Sequence, residues 1–553
     1  MKKLLCALVA CVTLAAAIVA LDARQAGTPD QSAVDKVFSR WTAATPGCAV
    51  GVSERGKVVL EKAYGMADLE HDVPNRPDTT FEAGSVSKQF TAAAVLLLVR
   101  EGKLSLDDPV RKYIPELPDY GKPLLVRHIL QHTSGLRDWG EVEAIAGWPR
   151  TTRVYTHAHV LDIVSRQKAL NFEPGTRWSY CNTGYNLAAI IVARVSGKPF
   201  AEFCRARIFE PLGMTHTSWR DDFRRIVKGR AIAYEAVKEG GYLQDMPFED
   251  VHGNGGLLTT VGDLLRWNEN AVTQKVGDAE FLRLELQPGH LGDGTAHDYA
   301  MGLYIGKFSG LPEVSHSGST AGYRAFLTRF PDQHVSVAVL CNASNGAAER
   351  YAHAVAELYL GEAIAAHRSA TIDPGHDRVS EAVLRSHAGR YRSLVTGVPI
   401  DVVYKDAQIA LGGGTAPGGQ LALRSETRFS AGDGSGRTYE WETRDRVRVT
   451  SPNRTSEVYE RVEPWKPTPG EAGALVGVYY SADAETELKV IVSGEGLKVT
   501  RRPDTVARLR PVYKDAFVAE DLGLVRFRRD ASRRVIALSV TTGRVWDLRF
   551  ARR

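Results

Sequence analysis

The chain has 553 residues, too many for a single hydrophobic core, so several domains are expected. Its 44% hydrophobic and 24% charged residues are those of ordinary globular protein, and a formal charge of +5 is small for this length. The basic stretches "RFRRDASRR" and "RFARR" read as a solvated sheet face and no phosphate-cradling G-x-x-x-x-G-K-[ST] is present, so a nucleic-acid partner is not expected.

In chain order, Lys2 and Lys3 precede an apolar run from Leu4 to Leu21 and then polar residues. This is the layout of a secretory signal peptide, residues 1–23, with small residues for a cut after Ala20 or Ala23. The alternative is an uncleaved anchor, since the run is just long enough to span a bilayer. A secreted or periplasmic location is therefore expected, with membrane contact only through this segment if it is retained. Beyond it, Cys48, Cys181, Cys204 and Cys341 are scattered without C-x-x-C spacing, which argues against a disulfide framework and against a zinc site. A single bridge between Cys48 and Cys341, both in strand-like runs, stays open.

Residues 28–365 mix both periodicities and read as one α/β domain. "GCAVGVSERGKVVLEKAYG" reads as two strands around a turn at Glu54–Lys57. The segment from Phe90 to Val99 is apolar almost all round, which marks a buried helix. Helices are expected near 157–169, 184–196 and 260–272, then two or three strands across "VSHSGSTAGYRAFLTRFPDQHVSVAVLCNAS" and a closing amphipathic helix. After a linker at 366–380, short alternating runs recur every eight to twelve residues, as in an antiparallel sandwich or barrel. This part repeats itself at an offset of 88: "GRYRS" from Gly389 returns as "GVYYS" from Gly477, and Phe429, Tyr439 and Val447 match Phe517, Phe527 and Val535. Two β domains, 381–463 and 475–553, follow, joined by a Pro-rich linker at 464–474. The glycine run 412–419 reads as a hairpin loop, since no helix follows to bind a phosphate.

The chemistry centres on Ser85 and Lys88 in "GSVSKQF". A serine hydroxyl is a poor nucleophile until a base takes its proton, and a lysine at i+3 lies on the same helix face. Burial behind Phe90–Val99 would strip water from Lys88, lower its pKa and fit it to act as that base. A second S-x-x-K, Ser165 to Lys168, closes a polar run and reads as surface.

The run "AGSVSKQFTAAAVLLLVREGKLSLDDPVRKYIPELP" resembles the nucleophile motif of penicillin-recognising serine hydrolases, the group of class C β-lactamases, D,D-carboxypeptidases and D-aminopeptidases. The family's other elements follow in order. Tyr180-Cys181-Asn182 matches Y-x-N, where the tyrosine shares the base role and the asparagine holds substrate. His316-Ser317-Gly318 matches the third element, K-T-G or H-x-G; His290 and His387 also begin H-x-G but lack the strand behind them. "VRHILQHTSGLRDW" and "GNGGLLTTVGDLLRW" also look family-like.

The resemblance implies a β-lactamase/transpeptidase-like α/β fold, an antiparallel sheet with flanking helices. The two β domains then become small lipocalin-like antiparallel barrels, closest in plan to D-aminopeptidases. It implies acyl transfer by Ser85, Lys88 and Tyr180, with Asn182, His316, Gly318 and Ser319 binding substrate and no metal or organic cofactor. The expected substrate is a small peptide, amide or ester, above all an amide bond of a D-amino-acid-containing peptide. Lysine in the third element meets the carboxylate of a β-lactam; His316, neutral near pH 7, is a weaker anchor. A β-lactamase, a carboxylesterase and a non-catalytic binding relative are the alternatives. The oligomeric state, a dimer included, stays open.

Overall fold

The computed structural model describes residues 31–150, 152–370, 379–412, 419–432, 436–494 and 496–553. The signal-like segment 1–23 therefore lies outside the described residues, as do most of the 366–380 linker and the interior of the glycine run. Helix α1 (Gln31–Val37) leads into the expected strand pair, β1 (Cys48–Glu54) and β2 (Lys57–Tyr64). Helices α2 (Ser87–Arg100), α3 (Trp139–Ile145), α4 (Asn182–Ser196) and α5 (Val261–Thr273) build the middle of the domain. Strands β3 (Tyr304–Phe308), β4 (Leu311–Thr320), β5 (Tyr323–Phe330) and β6 (Val335–Cys341) then precede α6 (Ala348–Ala370).

The sheet order is β3-β4-β5-β6-β1-β2, antiparallel throughout, so the two ends of the domain meet at β6 and β1. Cys48 and Cys341 face each other across that seam and are joined by a disulfide. Period-two alternation sends Val50, Val337 and Val339 to the face covered by α1 and α6, and Ala49, Ala338 and Leu340 to the face covered by the helical middle. Helix α2 runs through that middle with twelve consecutive residues buried, Ser87 to Leu98. An all-round apolar helix can be placed only there.

The tail forms two closed eight-stranded barrels, Gly389–Val462 and Gly477–Arg552, whose closure leaves no free sheet edge. Each is preceded by a short helix, α7 (Glu381–His387) and α8 (Pro469–Leu475), related by the same 88-residue offset. The repeated tyrosine explains the pairing. Tyr391 donates its hydroxyl to the His387 carbonyl at 2.9 Å, and Tyr479 to the Leu475 carbonyl at 2.7 Å, so each buried ring closes a helix end. The Pro-rich segment expected as a linker is thus half helix. Pro469 occupies the first turn, where no donor is lost, and Thr468 and Glu471 form a capping box. Helix α6 likewise continues to Ala370, into the segment expected as the first linker.

The second barrel shares a continuous apolar core with the catalytic-type domain, whereas the first has its own. Arg137, almost fully buried, clamps the former contact through Asp483 at 3.0 Å. A bridge closing a 293-residue interval confines the unfolded chain strongly. Cys341→Ser is therefore expected to lower the unfolding free energy by about 2–4 kcal/mol in denaturant titrations against the oxidised wild type.

Candidate active site

Ser85 lies in a single 3-10 turn, Gly84–Val86, immediately before α2. The turn is tight because two backbones meet there. Gly84 has φ +50°, and a methyl group on it would stand 2.6 Å from the Ser319 nitrogen. Gly318 is equally constrained, since a methyl there would stand 2.0 Å from the Ala83 carbonyl oxygen. The absence of side chains on both glycines thus brings the end of β4 over the serine turn. Ser87 anchors the same turn by accepting from the Leu257 N–H at 3.1 Å.

Lys88, the second residue of α2 and one turn on from Ser85, is fully buried. Its Nζ lies 3.0 Å from Ser85 Oγ, 2.9 Å from Asn182 Oδ1 and 2.6 Å from the Asn254 carbonyl oxygen. Burial holds its pKa well below the ordinary lysine value, and the nearby Arg544 cation pushes the same way, against Asp138. Tyr180 behaves oppositely. Burial raises its phenol far above the ordinary range, although a hydrogen bond with Ser85 works to lower it. Its ring packs against His132 at a tilt, with centroids 4.1 Å apart, and the His132 Nδ1 accepts from the Cys181 N–H at 3.1 Å.

His316 is buried, and both its ring nitrogens have partners. Nδ1 donates to the Ser317 carbonyl at 2.6 Å, so Nε2 is the acceptor, at 3.0 Å from the Tyr299 hydroxyl. Burial first, then Lys88, pulls its pKa down to about 3, so the ring is neutral at any ordinary pH. It lines the cavity as a polar wall held by Tyr299, not as a cation.

Ser85, Tyr180, Asn182, His316, Gly318 and Ser319 together line one open cavity of about 1310 Å³, with Lys88 beneath its floor. Ser165, the rival serine, instead bonds the Asp162 carbonyl on an exposed helix end. His290 sits in a small surface hairpin and His387 in α7, where it stacks on Trp441.

Three contributors escape a reading of the sequence by motif. Asn254 acts through a backbone carbonyl, which no residue type announces, although it lies in the family-like "GNGGLL" segment. Asp138 caps α3 and also accepts from the Asn182 N–H at 2.8 Å, which fixes the start of α4. Arg544 arrives from the second barrel and lies over the Tyr180 ring at 4.9 Å. Only the folded chain brings it there. Chemically, the arrangement pairs a hydroxyl with an amine stripped of water and a protonated phenol, the components of proton transfer at a carbonyl.

Gly84→Ala is expected to force the turn away from Ser319, costing about 1–3 kcal/mol and removing covalent labelling of Ser85 by a serine-directed probe. Melting temperature and stoichiometry of labelling measure the two effects separately.

The Beta-lactamase family matches residues 28–362. A D-aminopeptidase of Brucella anthropi is 30% identical over 304 residues, covering 55% of this chain and 57% of that protein. Penicillin-binding protein 4* of Bacillus subtilis (strain 168) is 28% identical over 309 residues, covering 52% of this chain and 66% of that protein. The match thus spans less than two thirds of these curated relatives. The octameric penicillin-binding protein homologue from Pyrococcus abyssi superposes with a TM-score of 0.54 at 25% identity, covering 78% of this chain and 99% of that one. SurE, at a TM-score of 0.50 and 19% identity, covers 94% of this chain and 98% of that one, a likeness of fold alone. With the family matched across the whole segment that holds Ser85, Lys88, Tyr180 and His316, the chain belongs to the Beta-lactamase family.

Proposed function

We propose that the protein is an exported serine hydrolase that opens amide bonds of D-amino-acid-containing peptides through an acyl-enzyme on Ser85. The observation that carries this reading is the contact of the fully buried Lys88 Nζ with Ser85 Oγ at 3.0 Å. Ser85 Oγ attacks the carbonyl carbon while its proton passes to the neutral Lys88 amine. The resulting oxyanion is held by the backbone N–H groups of Ser85 and Ser319, each worth about 3 kcal/mol. The C–N bond then breaks as the Tyr180 hydroxyl gives its proton to the leaving nitrogen, and the proton on Lys88 restores the phenol. Water attacks the ester by the reverse sequence and frees Ser85.

The opposite pKa directions of the two side chains divide the roles. Lys88, its pKa depressed by burial, gives up its proton more readily than an ordinary lysine and so serves as the base, while an elevated Tyr180 is a proton donor rather than a phenolate. Preference for D-residues is supported by the similarity to D-aminopeptidases, and export by the signal-like N-terminal segment and the Cys48–Cys341 bridge. The neutral His316, where a β-lactamase carries lysine, argues against efficient β-lactam turnover.

A panel of D-aminoacyl amides, D,D-dipeptides, nitrocefin and p-nitrophenyl esters tests the assignment on wild type and Ser85→Ala. D-amide turnover that vanishes in Ser85→Ala is expected; full activity in Ser85→Ala would overturn the mechanism, and turnover of esters alone would favour a carboxylesterase.

Acylation requires uncharged Lys88, so its rate should fall as pH drops through the depressed lysine pKa and hold steady above it. Lys88→Arg, which stays charged at every accessible pH, should lose about 10²–10⁴-fold in acylation rate, measured by stopped-flow burst kinetics.

A further inference from the structure

The last hairpin of the second barrel joins Val535–Thr541 to Leu548–Arg552, and its turn carries Arg544 to the catalytic cavity. The turn is pinned by its main chain. The Arg544 N–H donates to Glu141 at 3.0 Å, its carbonyl accepts from Asn171 Nδ2 at 2.9 Å, and the Trp546 N–H donates to Asn171 Oδ1 at 2.7 Å. The guanidinium, by contrast, has no hydrogen-bond acceptor among the described residues. Its nearest carboxylates, Asp138 and Glu141, stand at 3.9 and 3.8 Å. Asp138 is already engaged by the N–H groups of Gly140, Glu141 and Asn182, and burial raises the Glu141 carboxyl toward its neutral form. The main chain is thus fixed, while the guanidinium makes two long ion pairs and no hydrogen bond among the described residues.

The other cations lining this cavity are placed differently. Arg150 is bonded to Glu249, Arg324 donates to the carbonyls of Ala321 and Tyr323, and Arg350 lies over Tyr351 on α6, the helix that also brings Glu349 and Glu357 to the wall. His316 is neutral and its nitrogens are occupied. Arg544 alone of these guanidinium groups stands over Tyr180, at 4.9 Å from its ring.

Position beside Tyr180 decides what Arg544 meets. The phenol serves the leaving nitrogen, and in a C-terminal amino acid the carboxylate carbon is two bonds from that nitrogen. An ammonium placed there would be repelled. We propose that Arg544 is a specificity-determining residue that binds the free α-carboxylate of the departing amino acid, so that the substrate is a peptide cleaved at its C-terminal residue. This rests on the Ser85 reading above and narrows it from aminopeptidase or D,D-peptidase to the carboxypeptidase type. Arg544, Tyr180 and Tyr304 also border a second cavity of about 1260 Å³ between the three domains, which gives the departing residue's side chain room.

The test compares N-acetyl-D-Ala-D-Ala with its C-terminal carboxamide on full-length wild type, Arg544→Gln and Arg544→Lys. Wild type should prefer the free acid in kcat/KM, and Arg544→Gln should reduce that preference by roughly ten- to a hundredfold, the range of a lost charge-assisted hydrogen bond. Arg544→Lys should retain part of it. Because the preference compares two substrates on one preparation, a misfolded fraction cancels. An acid-to-amide ratio unchanged in both variants, or a wild type that prefers the carboxamide or a free N-terminal amine, overturns the proposal while leaving Ser85 chemistry intact. Absence of Ser85-dependent acyl transfer to any substrate, activated esters included, instead overturns the underlying reading and this one with it.

Discussion

The rest of the site depends on one constraint, a lysine amine held entirely out of water against Ser85. An ammonium ion taken from water into a protein interior is costly, and the usual response is loss of its proton. Lys88 is given three oxygens, from Ser85, Asn182 and Asn254, but no carboxylate in contact. The two amide oxygens can take the two N–H groups of a neutral amine, whose lone pair then faces the Ser85 hydroxyl, and no carboxylate among the described residues bonds Lys88 to hold the charged form. The same constraint explains why α2 must be apolar on every side: the helix both delivers Lys88 and seals it.

From that constraint the neighbouring parts follow. Asn182 must start α4 at a fixed height, which Asp138 secures by accepting from its N–H. The serine turn must lie against β4, which Gly84 and Gly318 permit by having no side chains. Tyr180 must stay protonated beside a neutral amine, and its burial against His132 and Tyr299 achieves this. The sheet under these elements is closed by β1 and β6, drawn from opposite ends of the domain and covalently tied at Cys48 and Cys341.

Much of this was legible in the sequence because it rests on local pattern. The apolar circumference of α2, the S-x-x-K spacing and the order of the three motifs are properties of short segments. The barrel repeat was legible because Tyr391 and Tyr479 do the same job in each copy. What was hidden is non-local or carried by the backbone. The Asn254 carbonyl would look identical in any residue, and the role of Tyr299 in occupying His316 depends on a contact between residues 17 positions apart that only strand pairing brings together. Helix α8 was masked by prolines, although Pro469 sits where a helix tolerates it. Arg544 lies 456 positions after Lys88 in the chain and reaches the site only by barrel docking.

Everything in the site turns on Lys88 being an uncharged amine at the pH where the protein works. Nitrogen-15 NMR of the lysine Nζ groups, with Lys88 assigned by its loss in Lys88→Arg, reads that charge directly. Lys88 should show a neutral-amine shift at pH 7.5 while the exposed lysines remain ammonium ions. A Lys88 signal that stays in the ammonium range up to pH 10 in the folded protein would contradict it.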